Sequence, residues 1–77
     1  MKTESLKNFV KCHQDEILKK IEELQNFGPS DIGDLKGQLE RGIRIRKKMK
    51  VVPLVEIKEL YIGFIAIRVV EKERGYI

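Results

Sequence analysis

The chain has few of the residues that stabilise very small domains. Its 77 residues include one cysteine, one histidine and no tryptophan. A lone cysteine cannot form an internal disulfide, and Cys12 with His13 cannot supply the four ligands of a structural zinc site. A chain of this length forms a single domain, residues 1–77, and buries only about 60 % of the surface that its unfolded form exposes. Self-association is therefore the stabilising device that remains available.

The sequence also has no long hydrophobic run. The longest uncharged stretch of the apolar C-terminal third is residues 60–67, whereas a membrane-spanning helix needs about 20 apolar residues. No apolar stretch follows Lys2, so no secretory signal is predicted. We predict no membrane insertion and a cytoplasmic location, which the unpaired cysteine also favours.

Residues with the arrangement that catalysis needs are equally scarce. The glycines match no phosphate-binding loop, and the two serines, Ser5 and Ser30, stand where helix caps are expected. Neighbouring acids such as Asp15 and Glu16 should lie on solvated helix faces, where a carboxyl lacks the shelter of an acid–base site. We predict no enzymatic activity, no catalytic residues, no metal site and no cofactor.

Hydrophobic periodicity predicts an amphipathic helix over residues 4–26. Its apolar stripe advances in steps of three and four and consists of Leu6, Phe9, Val10, His13, Ile17, Ile21 and Leu24. Glu16 and Lys20 should pair on the opposite face at i,i+4 spacing. Gly28 and Pro29 follow and should end the helix.

A second helix is predicted over residues 30–48, which completes a helical hairpin. Ser30 lies where an N-cap is needed, and Asp31 falls in the first turn, where a negative charge meets the positive end of the helix dipole. The apolar stripe is thin and is interrupted by glycines, of which Gly42 is the last. These glycines either let another helix approach closely or mark a break near Gly42, after which the chain would be extended.

Residues 50–77 decide the fold class, and two interpretations stand. Nine of the twenty residues at 51–70 are β-branched, which favours strands and an α+β fold. A hairpin, however, would have to reverse through residues 57–62, which contain no turn-forming residue. Pro53 fits the first turn of a helix and Gly75 its end, so we predict a third helix over about 53–74 and an all-α fold.

This third helix is too apolar for the first two to cover. Its polar and small positions, Glu56, Glu59, Gly63 and Ala66, share one narrow face. We expect a homodimer, or docking on a protein partner, to complete the fold. The predicted interface consists of Leu60, Phe64 and Ile67. Burial of these residues in the core of a monomer is the competing interpretation.

The net charge of +4 is concentrated in one block. Residues 1–40 carry six lysines against eight acids, and residues 51–77 carry four charges of each sign, so these parts contribute −2 and zero. Residues 41–50 carry six bases and no acid, namely Arg41, Arg44, Arg46, Lys47, Lys48 and Lys50. On a helical wheel Arg41, Arg44 and Lys48 form a solvent-facing stripe.

Such a block supports two functional interpretations. It can neutralise phosphates of DNA or RNA or bind another polyanion, which predicts a small accessory or regulatory nucleic-acid-binding protein. No helix-turn-helix, zinc-finger or RNA-recognition signature is present, so no base-specific reading is predicted. Alternatively, the bases are only a helix end that the dipole favours. The chain would then be a protein–protein interaction module, an adaptor, inhibitor or assembly subunit, that acts through its apolar C-terminal segment.

Overall fold

The computed structural model describes residues 6–49 and 54–75, and every regular element within them is helical. The elements are α1 (Leu6–Cys12), α2 (Gln14–Leu24), α3 (Pro29–Lys48), a 3-10 turn (Leu54–Ile57) and α4 (Lys58–Arg74). The all-α prediction is confirmed for this part of the chain. The alternative in which residues 50–77 form strands is wrong, because α4 is a helix. Ser5 and Pro53 lie outside the described residues.

Most observed helix ends are close to the predicted ones, but α4 begins at Lys58 and not near residue 53, because residues 54–57 form a 3-10 turn. α3 begins one residue early, because Pro29 occupies its first position and Gly28 precedes it without a side-chain cap, so Ser30 is not the N-cap. α3 then continues through Gly42 without a break. α4 ends at Gly75, whose φ of 74° is the left-handed conformation that glycine adopts without strain.

The first predicted helix is divided in two at His13. Its φ of −116° and ψ of 26° leave the helical region. His13 N nevertheless donates to Phe9 O at 3.0 Å, and Ile17 N donates to His13 O at 3.0 Å. The imidazole packs on the Phe9 ring, with 4.5 Å between the ring centres. The helix is therefore interrupted at His13, while its hydrogen bonding continues through the break.

α4 is the central helix, and α2 and α3 pack on it. α2 runs parallel to α4, since Glu16 pairs with Lys58 at one end and Arg74 donates to two carbonyl groups of the turn after α2 at the other. α3 runs antiparallel to both, and its Lys36 contacts Glu71 of α4. The predicted helical hairpin is thus the pair α2 and α3, and α4 fills the space between them.

The core consists of two clusters along α4, and Ile21 packs against both. The first contains Phe9, Ile17, Ile43, Ile57, Tyr61 and Ile62. The second contains Leu24, Ile32, Ala66, Ile67 and Val70. Much of α4 is therefore buried by its own chain, whereas the apolar character of its sequence had favoured burial by a partner. Phe64, Ile65 and Val69 remain only partly buried.

Two glycines bring α3 and α4 together. A Cβ at Gly63 would lie 3.0 Å from Leu39 Cδ1, and a Cβ at Gly42 would lie 3.3 Å from Leu60 Cδ1. The close approach predicted for the α3 glycines thus occurs at Gly42. Gly63 and Ala66 are buried, so the narrow face that we expected to be polar is in part a packing face.

Candidate functional site

The predicted basic segment occupies the last two turns of α3. Its five described cations are all exposed: Arg41, Arg44, Arg46, Lys47 and Lys48. Arg41, Arg44 and Lys48 share one face of the helix and are called the basic stripe below. Their exposure agrees with the solvent-facing position predicted from the sequence, and Ile43 on the other side of the helix is buried. Lys50 lies outside the described residues.

No carboxylate lies within ion-pair distance of the basic stripe among the described residues. The two other cations of the segment are engaged locally. Arg46 Nη1 donates to Gly42 O at 3.4 Å, and Lys47 Nζ lies 5.8 Å from the centre of the Tyr61 ring, a cation–π geometry. The stripe therefore faces solvent without an ion pair in the part of the chain that the structure describes, and its nearest acid in sequence is Glu40, one helical turn before Arg44.

The helix dipole explains the position of only some of these cations. It favours cations near the carbonyl end of a helix, but the effect falls off within the last turn. Arg46, Lys47 and Lys48 occupy the last turn of α3, whereas Arg41 and Arg44 precede it. The dipole therefore does little to stabilise Arg41 and Arg44 at their positions.

A groove of about 470 Å³ lies beside the stripe, between α3 and α4, and is called the α3–α4 groove. Its lining consists of Glu40, Ile43, Arg44, Lys47, Tyr61 and Phe64. Arg44 belongs both to this groove and to the basic stripe. Aromatic and apolar surface of α4 thus adjoins the cations of α3, so the two segments that the sequence singled out meet on one side of the molecule.

A second groove, of about 430 Å³, lies between α1 and the outer face of α4 and is called the α1–α4 groove. Its apolar lining consists of Leu6, Val10, Tyr61, Phe64, Ile65 and Val69. The remaining lining residues are the cations Arg68 and Lys72. Leu6 is 53 % exposed and contributes to the apolar surface of this groove.

The three residues predicted to form one interface lie in three different environments. Ile67 is completely buried in the core of the single chain, so its side chain has no surface to offer a partner. Leu60 packs against α3 at Gly42. Phe64 alone lines the two grooves described above. The three residues do lie on one helix, but α3 and the second core cluster cover the side of α4 that we expected a partner to cover.

His13 and Glu16 form a polar contact at the start of α2. His13 Nδ1 lies 3.0 Å from Glu16 Oε1, and Lys58 Nζ lies 3.3 Å from Glu16 Oε2. The hydrogen bond with His13, assisted by Lys58, holds the pKa of the Glu16 carboxyl below its usual value of 4.5, against an opposing effect of desolvation. Glu16 thus joins α2 to α4, and the pair predicted between Glu16 and Lys20 is replaced by this contact.

No group of three potential metal ligands comes together among residues 6–49 and 54–75. The Cys12 thiol is free and exposed. Of the α1–α4 groove, the sequence prediction named only Phe64. Leu6 and Val10 were assigned to the core stripe of the first helix, and their position beside α4 has no signal in the sequence. Arg68 and Lys72 were counted only in the balanced charge of the C-terminal third.

No helix in the described part of the chain is long and apolar enough to cross a bilayer. Comparison of the chain with protein-family models finds no match, and comparisons with curated proteins and with solved structures give no significant similarity.

Proposed function

We propose that this protein binds nucleic acid through the phosphate backbone, with the basic stripe of α3 as the contact surface. The observation that carries the proposal is the set of three exposed cations, Arg41, Arg44 and Lys48, none of which forms an ion pair among the described residues. Uncompensated cations that release counterions from phosphates supply the sequence-independent part of nucleic-acid affinity. The role is accessory or regulatory and involves no catalysis.

The groove beside the stripe supports the same function. Phe64 provides aromatic surface next to Arg44 and Lys47, whereas Tyr61 is 8 % exposed and belongs to the core. Aromatic rings beside cations are the combination with which proteins hold unpaired bases and their phosphates. Single-stranded nucleic acid can therefore use both the stripe and the groove, whereas a duplex uses the stripe alone.

Fluorescence anisotropy with labelled duplex DNA, single-stranded DNA and single-stranded RNA of mixed sequence tests the proposal. If each stripe cation neutralises one phosphate of a duplex, the logarithm of the association constant falls with the logarithm of salt concentration with a slope of about −2.7. A fourfold rise in salt should then weaken binding about 40-fold. Affinity that does not change with salt would contradict phosphate binding.

The matched variants reverse the same number of charges in two places. Arg41→Glu with Arg44→Glu and Lys48→Glu should abolish binding. Lys7→Glu with Lys11→Glu and Lys19→Glu changes the net charge equally at exposed positions of α1 and α2 and should retain most of it. Equal loss in both variants would mean that only the net charge attracts the ligand, and the assignment of the stripe would be wrong.

A second candidate function, a protein–protein interaction module, is favoured by a different observation. The α1–α4 groove presents contiguous apolar side chains from two helices, among them the half-exposed Leu6. Apolar surface of this kind on a small domain is typical of protein-binding sites. Dimerisation of the chain stays a prediction. Because Ile67 is buried in the single chain, only Leu60 and Phe64 of the predicted interface can contact a second copy.

A further inference from the structure

The α1–α4 groove is a long apolar trough between two helices. Its floor follows the outer face of α4 from Tyr61 to Lys72, a distance of about 16 Å at the helical rise per residue. Leu6 and Val10 of α1 form one wall. A trough of this length accommodates about three turns of a helix, and regularly spaced apolar pockets between two helices are the receptors of the helix-in-groove mode of recognition.

The charge of the lining has one sign. Arg68 and Lys72 are its only charged residues, both are exposed, and neither has a carboxylate within ion-pair distance among the described residues. On the far side of Phe64, the α3–α4 groove adds Arg44 and Lys47 and only one acid. The apolar floor is therefore flanked by cations, which favours a ligand with acidic flanks.

We infer that the α1–α4 groove is a docking site for an acidic amphipathic helix of another protein. The apolar side chains of that helix, at i, i+3, i+4 and i+7 spacing, pack on Phe64, Ile65 and Val69. Acidic residues beside this stripe pair with Arg68 and Lys72. The inference rests on the second candidate function and names the partner chemistry that this function requires.

The same charges disfavour a second copy of the chain as the occupant. A symmetric contact through this groove would bury Arg68 and Lys72 of both copies against a lining that contains no acid to pair with them. Nucleic acid is also less suited to this groove than to α3, because the groove lining contains two cations and is otherwise apolar, whereas the end of α3 presents five exposed cations.

The experiment measures binding of three labelled helical peptides of about 20 residues by fluorescence anisotropy. All three carry the same leucine stripe, and the remaining positions are filled with glutamate in the first, lysine in the second and glutamine in the third. The acidic peptide should bind the wild-type protein at least tenfold more tightly than the glutamine peptide, and the lysine peptide should bind weakest. Equal binding of the acidic and lysine peptides would overturn the inference.

Charge reversal inside the groove provides the sharper test. Arg68→Glu with Lys72→Glu should weaken the acidic peptide at least tenfold and should make the lysine peptide the preferred ligand. The matched control, Lys11→Glu with Lys19→Glu, reverses two exposed charges outside the basic stripe and outside the lining of both grooves, and should change the affinity less than about threefold. Equal losses in the two variants would show attraction by net charge, which overturns the assignment of the groove.

The apolar contacts are tested with two variants. Phe64→Ala should weaken the acidic peptide at least tenfold, because aromatic side chains at the centre of a contact carry much of its energy. Phe64 also packs against the core, so Leu6→Ser at a half-exposed position serves as the second variant and should weaken binding about fivefold while thermal unfolding stays close to wild type. An unchanged affinity in Leu6→Ser would overturn the inference.

The outcomes separate the inference from the function on which it rests. If the glutamine or lysine peptide binds tightly and Leu6→Ser weakens it, protein binding in the groove stands and the acidic partner is wrong. If no peptide binds, both fail. If light scattering finds a wild-type dimer that Leu6→Ser dissociates, the occupant is a second copy and the inference is overturned.

Discussion

The contact between Lys36 and Glu71 allows a stability prediction with a definite sign. Lys36 Nζ lies 3.1 Å from both carboxylate oxygens of Glu71, and it joins α3 to α4. The Glu71 side chain is 10 % exposed, whereas that of Lys36 is 25 % exposed. Removal of the lysine leaves a buried carboxylate without a cation, but removal of the carboxylate leaves a lysine that can still reach water. Lys36→Met should therefore cost more stability than Glu71→Gln.

The magnitude follows from the degree of burial. Breaking a fully buried ion pair costs about 3–5 kcal/mol, and an exposed pair contributes about 0–1 kcal/mol. This pair lies between these limits, so Lys36→Met should lower the free energy of unfolding by about 2 kcal/mol and Glu71→Gln by about 1 kcal/mol. In a domain of this size, about 2 kcal/mol corresponds to a decrease in Tm of about 8–16 °C.

Equilibrium urea denaturation, followed by circular dichroism at near-neutral pH, measures these differences. The double variant Lys36→Met with Glu71→Leu replaces both charges by apolar groups and should recover most of the stability lost in Lys36→Met. A Lys36→Met variant within about 0.5 kcal/mol of wild type would refute the reasoning, because that result is typical of a solvated surface pair. A double variant less stable than Lys36→Met would refute it as well.

Two further predictions concern α3 with α4 and the start of α2. Gly37→Ala should stabilise the protein by about 0.8 kcal/mol, since a Cβ added there would meet no side chain or neighbouring helix within 4 Å. Gly63→Ala should stabilise it less, because its Cβ would press on Leu39. Urea denaturation of both variants in parallel measures the difference, and an equal gain in the free energy of unfolding would contradict the close contact. Because the folded-state pKa of Glu16 is depressed, its carboxylate contributes stability that is complete above the unfolded pKa of about 4.5 and is lost as the pH falls through the folded pKa. Glu16→Gln should therefore lower Tm at near-neutral pH, and the difference from wild type should shrink in acid; a difference that grows as the pH falls would show the opposite sign.

The two proposed contact surfaces lie on neighbouring parts of the same side of the molecule. Arg44 belongs to the basic stripe and to the α3–α4 groove, and Phe64 belongs to both grooves. A ligand on one surface therefore approaches the other within a few side chains. If both proposals hold, nucleic acid on the stripe and an acidic helix in the α1–α4 groove should compete through their like charges.

The helices were predictable because their signals are local. Helix ends depend on neighbouring residues such as Pro29 and Gly75, and the steps of three and four along α2 reflect one face of one helix. The exposure of the basic stripe was predictable for the same reason, since bases on one side of a helical wheel lie opposite Ile43. The choice of helix for residues 54–74 also followed from a local fact, the lack of any turn-forming residue over residues 57–62.

The sequence by itself determined the helices, their approximate ends and the position of the excess charge. Only the tertiary structure decided which side of α4 is covered, because that depends on how α2 and α3 close around it. Leu39 packs closely on Gly63 and on the cluster that contains Ile67, and Leu6 of α1 lines the same groove as Arg68 of α4. Each of these contacts joins residues far apart in the chain, and periodicity within one helix carries no information about the neighbour that a given face will meet.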